Sequence, residues 1–368
     1  MTLRLGPPAD ADADARWSVE DTARKRVVRV PPLGVYALLR AMAGATHDEI
    51  ARGLRDECGA TNAEAVIASL ESAGLVGDDA ASYSWVVETG AKWERHGWRE
   101  AFHFHLLNYD YRFLDFTAAA GPQAAQARME DYYASEPELP RHKRYVDSLS
   151  WRPLPRPDES SVPEPLRLPA ATSRTVSDEP LLSRLSRLLA LAIGKIGERP
   201  LPQPEANPVM LRTSPSGGSR HPTEAYLVAI EVAGLAPGWY HCTTREPGLD
   251  LIRAGLDEAE LHRFFIGAVG RAPFRPAAII VLTTLFERNM FRYREPRTFR
   301  SVHLDAGHLA GTLEALAASV GLESFAHFGA DDVAIEEHLG LDGLHEGVVL
   351  TLALSRIEPG DSHATPAK

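Results

Sequence analysis

The sequence predicts an α+β protein with helices packed on a mixed or antiparallel central sheet, and three observations carry that prediction. Apolar runs of strand length recur in the second half, in EAYLVAIEV (224–232), AAIIVLTTL (277–285) and EGVVLTLALS (346–355). Stretches with apolar residues at helical spacing lie between them, the longest from about Ser301 to Val320. Several strands are hairpin-linked, as GWYHC is to LDLIRAG, which favours α+β over a regularly alternating parallel fold.

Composition narrows the function classes. The chain has 368 residues, 39 basic and 50 acidic, and a formal charge of −11. A protein this acidic is a poor general binder of nucleic acid or anionic membrane. No apolar run approaches the roughly 20 residues of a membrane span. The N-terminus carries no apolar signal segment. Cys58 and Cys242 stand far apart, which excludes a disulfide framework and a thiolate zinc site and fits a reducing cytoplasm.

The elements follow in order. Residues 1–20 alternate Ala and Asp and read as a solvated tail. Residues 21–90 read as a winged-helix-like module. RKRVVRV (24–30) is a short strand, stopped by Pro31 and Pro32, and LGVYALLRAMAGA is the first helix. Thr46 with Glu49 and Thr61 with Glu64 are capping-box patterns that open the second and third helices. YSWVVE (83–88) is the closing strand. Winged helices often read DNA with the third helix, yet this one has no Lys or Arg between Thr61 and Val76. Peptide binding or dimerisation suits it better. Residues 91–169 are an aromatic-rich segment followed by a proline-rich extended connector. His103 and His105 would share one face of a strand there, without a third metal ligand at a recognisable spacing. A second domain occupies 170–368.

Two stretches of that domain carry chemistry. Ser214-Pro215-Ser216-Gly217-Gly218 is a tight turn feeding a buried strand, where paired glycines admit a flat or anionic ligand and successive amides form an anion-binding concavity. It is neither a Walker loop nor a dinucleotide turn. Downstream, Arg292, Arg294, Arg297 and Arg300 crowd ahead of a helix rich in small residues at Ala306, Gly307, Ala310 and Gly311.

Residues 215–226, PSGGSRHPTEAY, and Arg292-Tyr293 with Leu304-Asp305-Ala306-Gly307-His308, resemble the nitroreductase-fold flavoproteins. More narrowly they resemble the SagB-type dehydrogenases, the thiazole/oxazole-forming peptide oxidases, over about 165–358. The upstream aromatic segment resembles that of the peptide maturation dehydrogenase subgroup. The resemblance implies FMN bound at a homodimer interface, a ribosomally made precursor peptide as substrate, and a cyclodehydratase as partner. It implies flavin contacts from Thr172 and Arg174, from Ser214, Pro215, Ser216, Gly217 and Gly218, from the backbone of Gly329, and from Arg212 and Arg356 as phosphate ligands. Ala170 and Ala171 stand where the pattern has basic residues.

The family's Lys-Tyr acid/base pair is here Arg292-Tyr293. A guanidinium cannot serve as a base. The resemblance then assigns acid/base work to Tyr293, with Arg292 as its electrostatic partner. Azoline oxidation to azole, or a related two-electron peptide oxidation, is the implied reaction. A general NAD(P)H-dependent nitroreductase or flavin reductase, or an inactive flavin- or peptide-binding scaffold, are the alternatives.

Overall fold

The structure is a computed structural model that describes residues 3–6, 16–21, 26–77, 88–109, 113–118, 120–154, 179–201 and 206–357. The chain divides into two compact units, Met1–Phe113 and Leu114–Lys368. The division falls upstream of the proline-rich stretch, not at its end.

In the first unit, β1 (Leu3–Gly6), β2 (Trp17–Asp21) and β3 (Arg26–Val30) form an antiparallel sheet. Part of the expected tail is therefore strand. Helices α1 (Pro32–Met42), α2 (His47–Asp56) and α3 (Ala63–Ser72) follow. Pro32 opens α1 because a first-turn residue needs no amide donor. The Thr46–Glu49 capping box forms in full. Its counterpart does not: Asn62, not Thr61, caps α3, and it makes no side-chain cap bond. Val19, Val30, Leu38, Leu54, Ile67 and Leu70 form the core of this unit. Arg26 bonds Asp21 at 3.3 Å and the carbonyl of Ala73, which ties the sheet to the end of α3. Residues 83–87 of the expected closing strand lie outside the described residues, and Glu88 begins a helix, α4, over 88–94.

His103 and His105 lie on a helix, α5 (Arg99–Asn108), which corrects the strand reading. Two positions apart on a helix they diverge instead of sharing a face. His103 is buried, and His105 stacks on Trp93 at 5.5 Å. Among the described residues no cluster of three His, Cys, Asp or Glu could hold a metal.

The second unit opens with α6 (Ala120–Ser135) and β4 (Ser150–Pro153). Then come α7 (Leu181–Ala192), the pair β5 (Gly197–Arg199) and β6 (Val209–Leu211), and a single 3₁₀ turn, Gly217–Ser219. Next are β7 (Thr223–Ala229), β8 (Gly238–Thr243) and β9 (Gly248–Ala254). The helix expected over 257–270 breaks at Phe265 into α8 (Glu258–Phe264) and α9 (Ile266–Gly270). β10 (Ala278–Leu285), α10 (Glu287–Met290), α11 (Thr298–Ser319), β11 (Leu322–His327), α12 (Asp332–Leu339) and β12 (Glu346–Arg356) complete it.

Seven strands make one sheet in the order β11-β12-β10-β7-β8-β9-β4, and every pairing recorded in it is antiparallel. Side chains alternate along β7, which is buried on both faces. Ala225, Leu227 and Ala229 pack with α7 and α11. Tyr226 and Val228 point the other way, toward Phe264, Phe265 and Ile335 of the opposite helical layer. The proline-rich stretch is structured as far as Leu154, because β4 pairs with the edge of β9.

Candidate active site

The turn at 214–218 connects β6 to β7 and is pinned to α11. Asp305 accepts from the Ser216 hydroxyl at 2.7 Å and from the Gly217 amide at 3.1 Å. The Ser216 hydroxyl in turn accepts from the His221 amide at 2.8 Å. The turn does hold an anion, as its spacing suggests, but that anion is the chain's own carboxylate. Burial raises the pKa of Asp305, while its bonds to Ser216 and Gly217 oppose that rise.

Backbone strain concentrates here. Gly218, Ser219 and His221 have φ of +60°, +51° and +49°. Only glycine occupies that region without cost, and non-glycine outliers persist where surrounding structure overdetermines them. The constraint comes from the segment after α6. Glu138, its side chain 2 % exposed, accepts from Arg141 at 3.1 Å and pairs with Arg220. It also accepts from Tyr133 at 3.2 Å and from the amide of Asn207 at 3.0 Å. Arg141 reaches the carbonyl of Ser219 at 3.4 Å. Arg288 of α10 donates to the carbonyls of Pro140 and His221, each at 2.9 Å, and pairs with Glu224 at 2.5 Å. One strap thus fixes both the turn and the helix that leads to Tyr293.

Tyr293 meets the turn directly. A Cβ at Gly218 would lie 2.5 Å from its hydroxyl. Only a residue without a side chain permits that approach. The guanidinium of Arg292 stands 5.6 Å from the Tyr293 ring centroid. Tyr293 also lines a cleft of about 750 Å³ walled by α10, the start of α11 and Leu344.

The remaining expected site residues divide. Arg212 and Ser214 line a cavity of about 10 Å³ together with Pro215, Ser216, His221 and Thr223. Arg212 donates to Thr244 at 2.9 Å, and burial lowers its pKa to about 10. The Arg212 Nε, Ser214 Oγ and Thr223 Oγ1 have no hydrogen-bond partner among the described residues. A cavity of that size holds about one water, which such groups would bind. The His221 pKa is pushed down to about 3 by burial and by Arg212. Pro215 and Gly218 are exposed and Gly217 is half-buried, so the outer surface of the turn stays open. The Gly329 amide donates to His327 Nδ1 at 2.7 Å within the chain, so it is already engaged. Arg356 is exposed at the end of β12, opposite Leu322. Thr172 and Arg174 lie outside the described residues.

The motifs that carry the resemblance include Arg220, Glu224, Tyr226 and Asp305 without giving them roles, and Glu138, Lys143 and Arg288 carry no such signal. Glu224 is held between Arg288, Arg212 and His241. Burial alone would raise its pKa, yet Arg288 and the His241 bond at 2.9 Å hold it well below the ordinary value. Tyr226 donates to Glu346 at 2.8 Å, and Lys143 pairs with Glu346 at 2.7 Å. Glu346 keeps that ammonium charged: burial alone would lower the pKa of Lys143, but the net shift is upward.

The glycine turn fits the ring of a flavin by its open surface. The nearest atom beyond its chain neighbours to where a Gly217 side chain would begin is Ser301 Cβ at 3.9 Å, and the Gly217 amide is already spent. Comparison with known proteins agrees with this fold. The nitroreductase family model matches residues 172–355, half of the chain. The chain belongs to the nitroreductase family.

Two curated relatives match part of it. Trifolitoxin-processing protein TfxB of Rhizobium leguminosarum bv. trifolii is 35 % identical over 147 residues, 39 % of each chain. The Methanocaldococcus jannaschii protein MJ1384, named as a nitroreductase, is 28 % identical over 141 residues, 38 % of this chain and 65 % of its own. The chain thus spans under two thirds of either relative. A solved structure named as a nitroreductase, from Anabaena variabilis, shares 26 % identity with a TM-score of 0.48, covering 65 % of this chain and 48 % of that one. A chain of the E. coli microcin synthetase McbBCD complex with truncated pro-MccB17 shares 19 % with a TM-score of 0.41, covering 70 % and 91 %.

Proposed function

We propose that the protein is an FMN-dependent dehydrogenase of a ribosomally synthesised peptide, oxidising an azoline to an azole or carrying out a related two-electron peptide oxidation. The observation that carries this reading is the Tyr293 hydroxyl held against Gly218 in the wall of a largely apolar cleft. The 35 % identity to a toxin-processing protein supports a peptide substrate.

The outer surface of Pro215, Gly217 and Gly218 would carry the FMN ring, and Arg356 with Thr172 and Arg174 would serve its phosphate and pyrimidine. Bound there, FMN supplies a hydride acceptor. Starting as its phenolate, Tyr293 would take the proton from the neighbouring carbon and become the phenol, so the substrate loses one proton and one hydride together. Its position is set from both sides, by Gly218 and by the α10 backbone, since the Tyr293 amide donates to the Asn289 carbonyl at 2.9 Å. Arg292 remains cationic and steadies negative charge near the ring. The site would be completed in a homodimer, with a cyclodehydratase supplying the azoline. The acidic N-terminal unit would grip a leader segment by strand addition or serve as a dimerisation arm.

The test is Tyr293→Phe. Flavin absorbance of the purified chain should be retained, and loss of two hydrogens from a precursor peptide, read by mass, should slow by about 100-fold or more. Full oxidation by the variant would overturn the assignment of Tyr293. A chain that stays colourless with added FMN would overturn the reading as a whole.

A further inference from the structure

A second pocket lies along the strand row that carries Tyr226. Across neighbouring strands Tyr226 stands opposite His241, His241 opposite Asp250, and Asp250 opposite Trp151. Residues directly opposite one another share a face of the sheet, so all four face the layer that holds the polar network. Beyond His241 the row opens into a pocket of about 240 Å³, which has no lining residue in common with the Tyr293 cleft. It is smaller than the roughly 300–1,000 Å³ of sites for drug-sized ligands, so its occupant is small.

The pocket holds unmatched charge of both signs. Asp250 lines it and is 6 % exposed. The Asp250 carboxylate makes no hydrogen bond or ion pair among the described residues. Its oxygens are not sealed like the orphan atoms of the interior, and the pocket gives them their access. A carboxylate so far removed from water is costly without a partner, so it points to a cation that arrives with a ligand. Arg144 and Arg245 stand on the same walls, both exposed, and neither guanidinium is paired among the described residues. Both act on His142, which also lines the pocket: burial lowers its pKa, and Arg245 and Arg144 lower it further. Lys143 is already matched by Glu346 at 2.7 Å, and Glu246 adds an exposed carboxylate. A plain anion would leave Asp250 unmatched, and a plain cation would meet two guanidiniums. A ligand carrying both charges answers both. Trp151, 48 % exposed, adds a flat apolar wall, its indole nitrogen packed where any side chain at Gly248 would collide with it.

We propose that this pocket binds a free α-amino acid with an apolar side chain, its ammonium on Asp250, its carboxylate held by Arg144 and Arg245, and its side chain against Trp151. The Thr244 hydroxyl on the pocket wall accepts from Arg212 at 2.9 Å, and Arg212 lines the small cavity at the glycine turn. The ligand therefore sits beside a residue that is hydrogen-bonded to the wall of that cavity. The inference needs neither the flavin nor the peptide reading.

The test is calorimetry on the full chain with L-phenylalanine, L-phenylalanine amide, N-acetyl-L-phenylalanine and inorganic phosphate. The amide keeps only the positive charge, as a peptide N-terminus does. The N-acetyl compound keeps only the negative one, as a peptide C-terminus does. L-Phenylalanine should bind about tenfold tighter than either, because each lacks one charge-assisted contact. Asp250→Asn should remove the advantage over N-acetyl-L-phenylalanine, and Arg245→Ala most of the advantage over the amide. Should Asp250→Asn not fold, Arg245→Ala still decides, because Arg245 is exposed. Failure of L-phenylalanine to bind overturns the proposal, as does an unchanged affinity in Arg245→Ala. Equal affinity for the amide or the N-acetyl compound also overturns it, and assigns the pocket to a peptide end. Phosphate binding as tightly as L-phenylalanine overturns it in favour of a plain anion site.

Discussion

The two faces of β7 are built on opposite rules. Toward α7 and α11, Ala225, Leu227 and Ala229 pack into a continuous apolar core. Toward the other layer, Val228 is apolar, but Glu224 and Tyr226 belong to a buried network with His241, Arg288, Lys143 and Glu346. A buried ion pair adds little net stability over apolar packing, so stability alone does not explain the second face. Its members bind the strap of residues 133–145 and the strained turn, and both lead to Tyr293. The first face holds the fold together, and the second holds the site in shape.

The largest expected effect is on the polar side. Glu138→Leu leaves Arg141 and Arg220 buried without their carboxylate, and urea unfolding should show a loss of about 3–5 kcal/mol. A loss below about 1 kcal/mol would mean that the strap does not constrain the turn. On the apolar side, Leu227→Ala should cost about 2–5 kcal/mol through the cavity it leaves, while flavin affinity stays unchanged. A large drop in flavin affinity would erase the distinction between the faces.

Acid offers a finer test. The folded pKa of His221 is about 3, against 6.5 in a free histidine. Between those values the unfolded chain binds a proton that the folded chain refuses. Stability from this group is complete above about pH 6.5 and falls as pH drops toward 3, by at most about 1.4 kcal/mol per pH unit. Unfolding free energies of wild type and His221→Gln, compared from pH 7 to 5, should differ in slope by up to one proton. The smallest effect belongs to an exposed pair. Arg275 and Glu231 are 2.8 Å apart with side chains 76 % and 61 % exposed. Arg275→Ala should shift stability by no more than about 0.5 kcal/mol.

This contrast also explains what the sequence disclosed. Long apolar strands such as β7, β10 and β12 were legible because burial on both faces leaves an uninterrupted apolar run. β11 was missed, since LESFAH is short and only partly buried. β4 was hidden in a proline-rich stretch, and it pairs only as a four-residue edge. The glycine turn and Tyr293 were found through their motifs, but their contact was not. The strap escaped entirely: Glu138 and Arg220 are separated by 82 positions, and no local pattern announces such a pair.

The glycine at 218 ties two histories together. Any side chain there would collide with the phenol that faces it, and the phenol cannot retreat without disturbing the helix behind it. The turn and the tyrosine must therefore drift as one unit over generations, and a homologue that loses the glycine should be found to have moved or replaced the tyrosine as well.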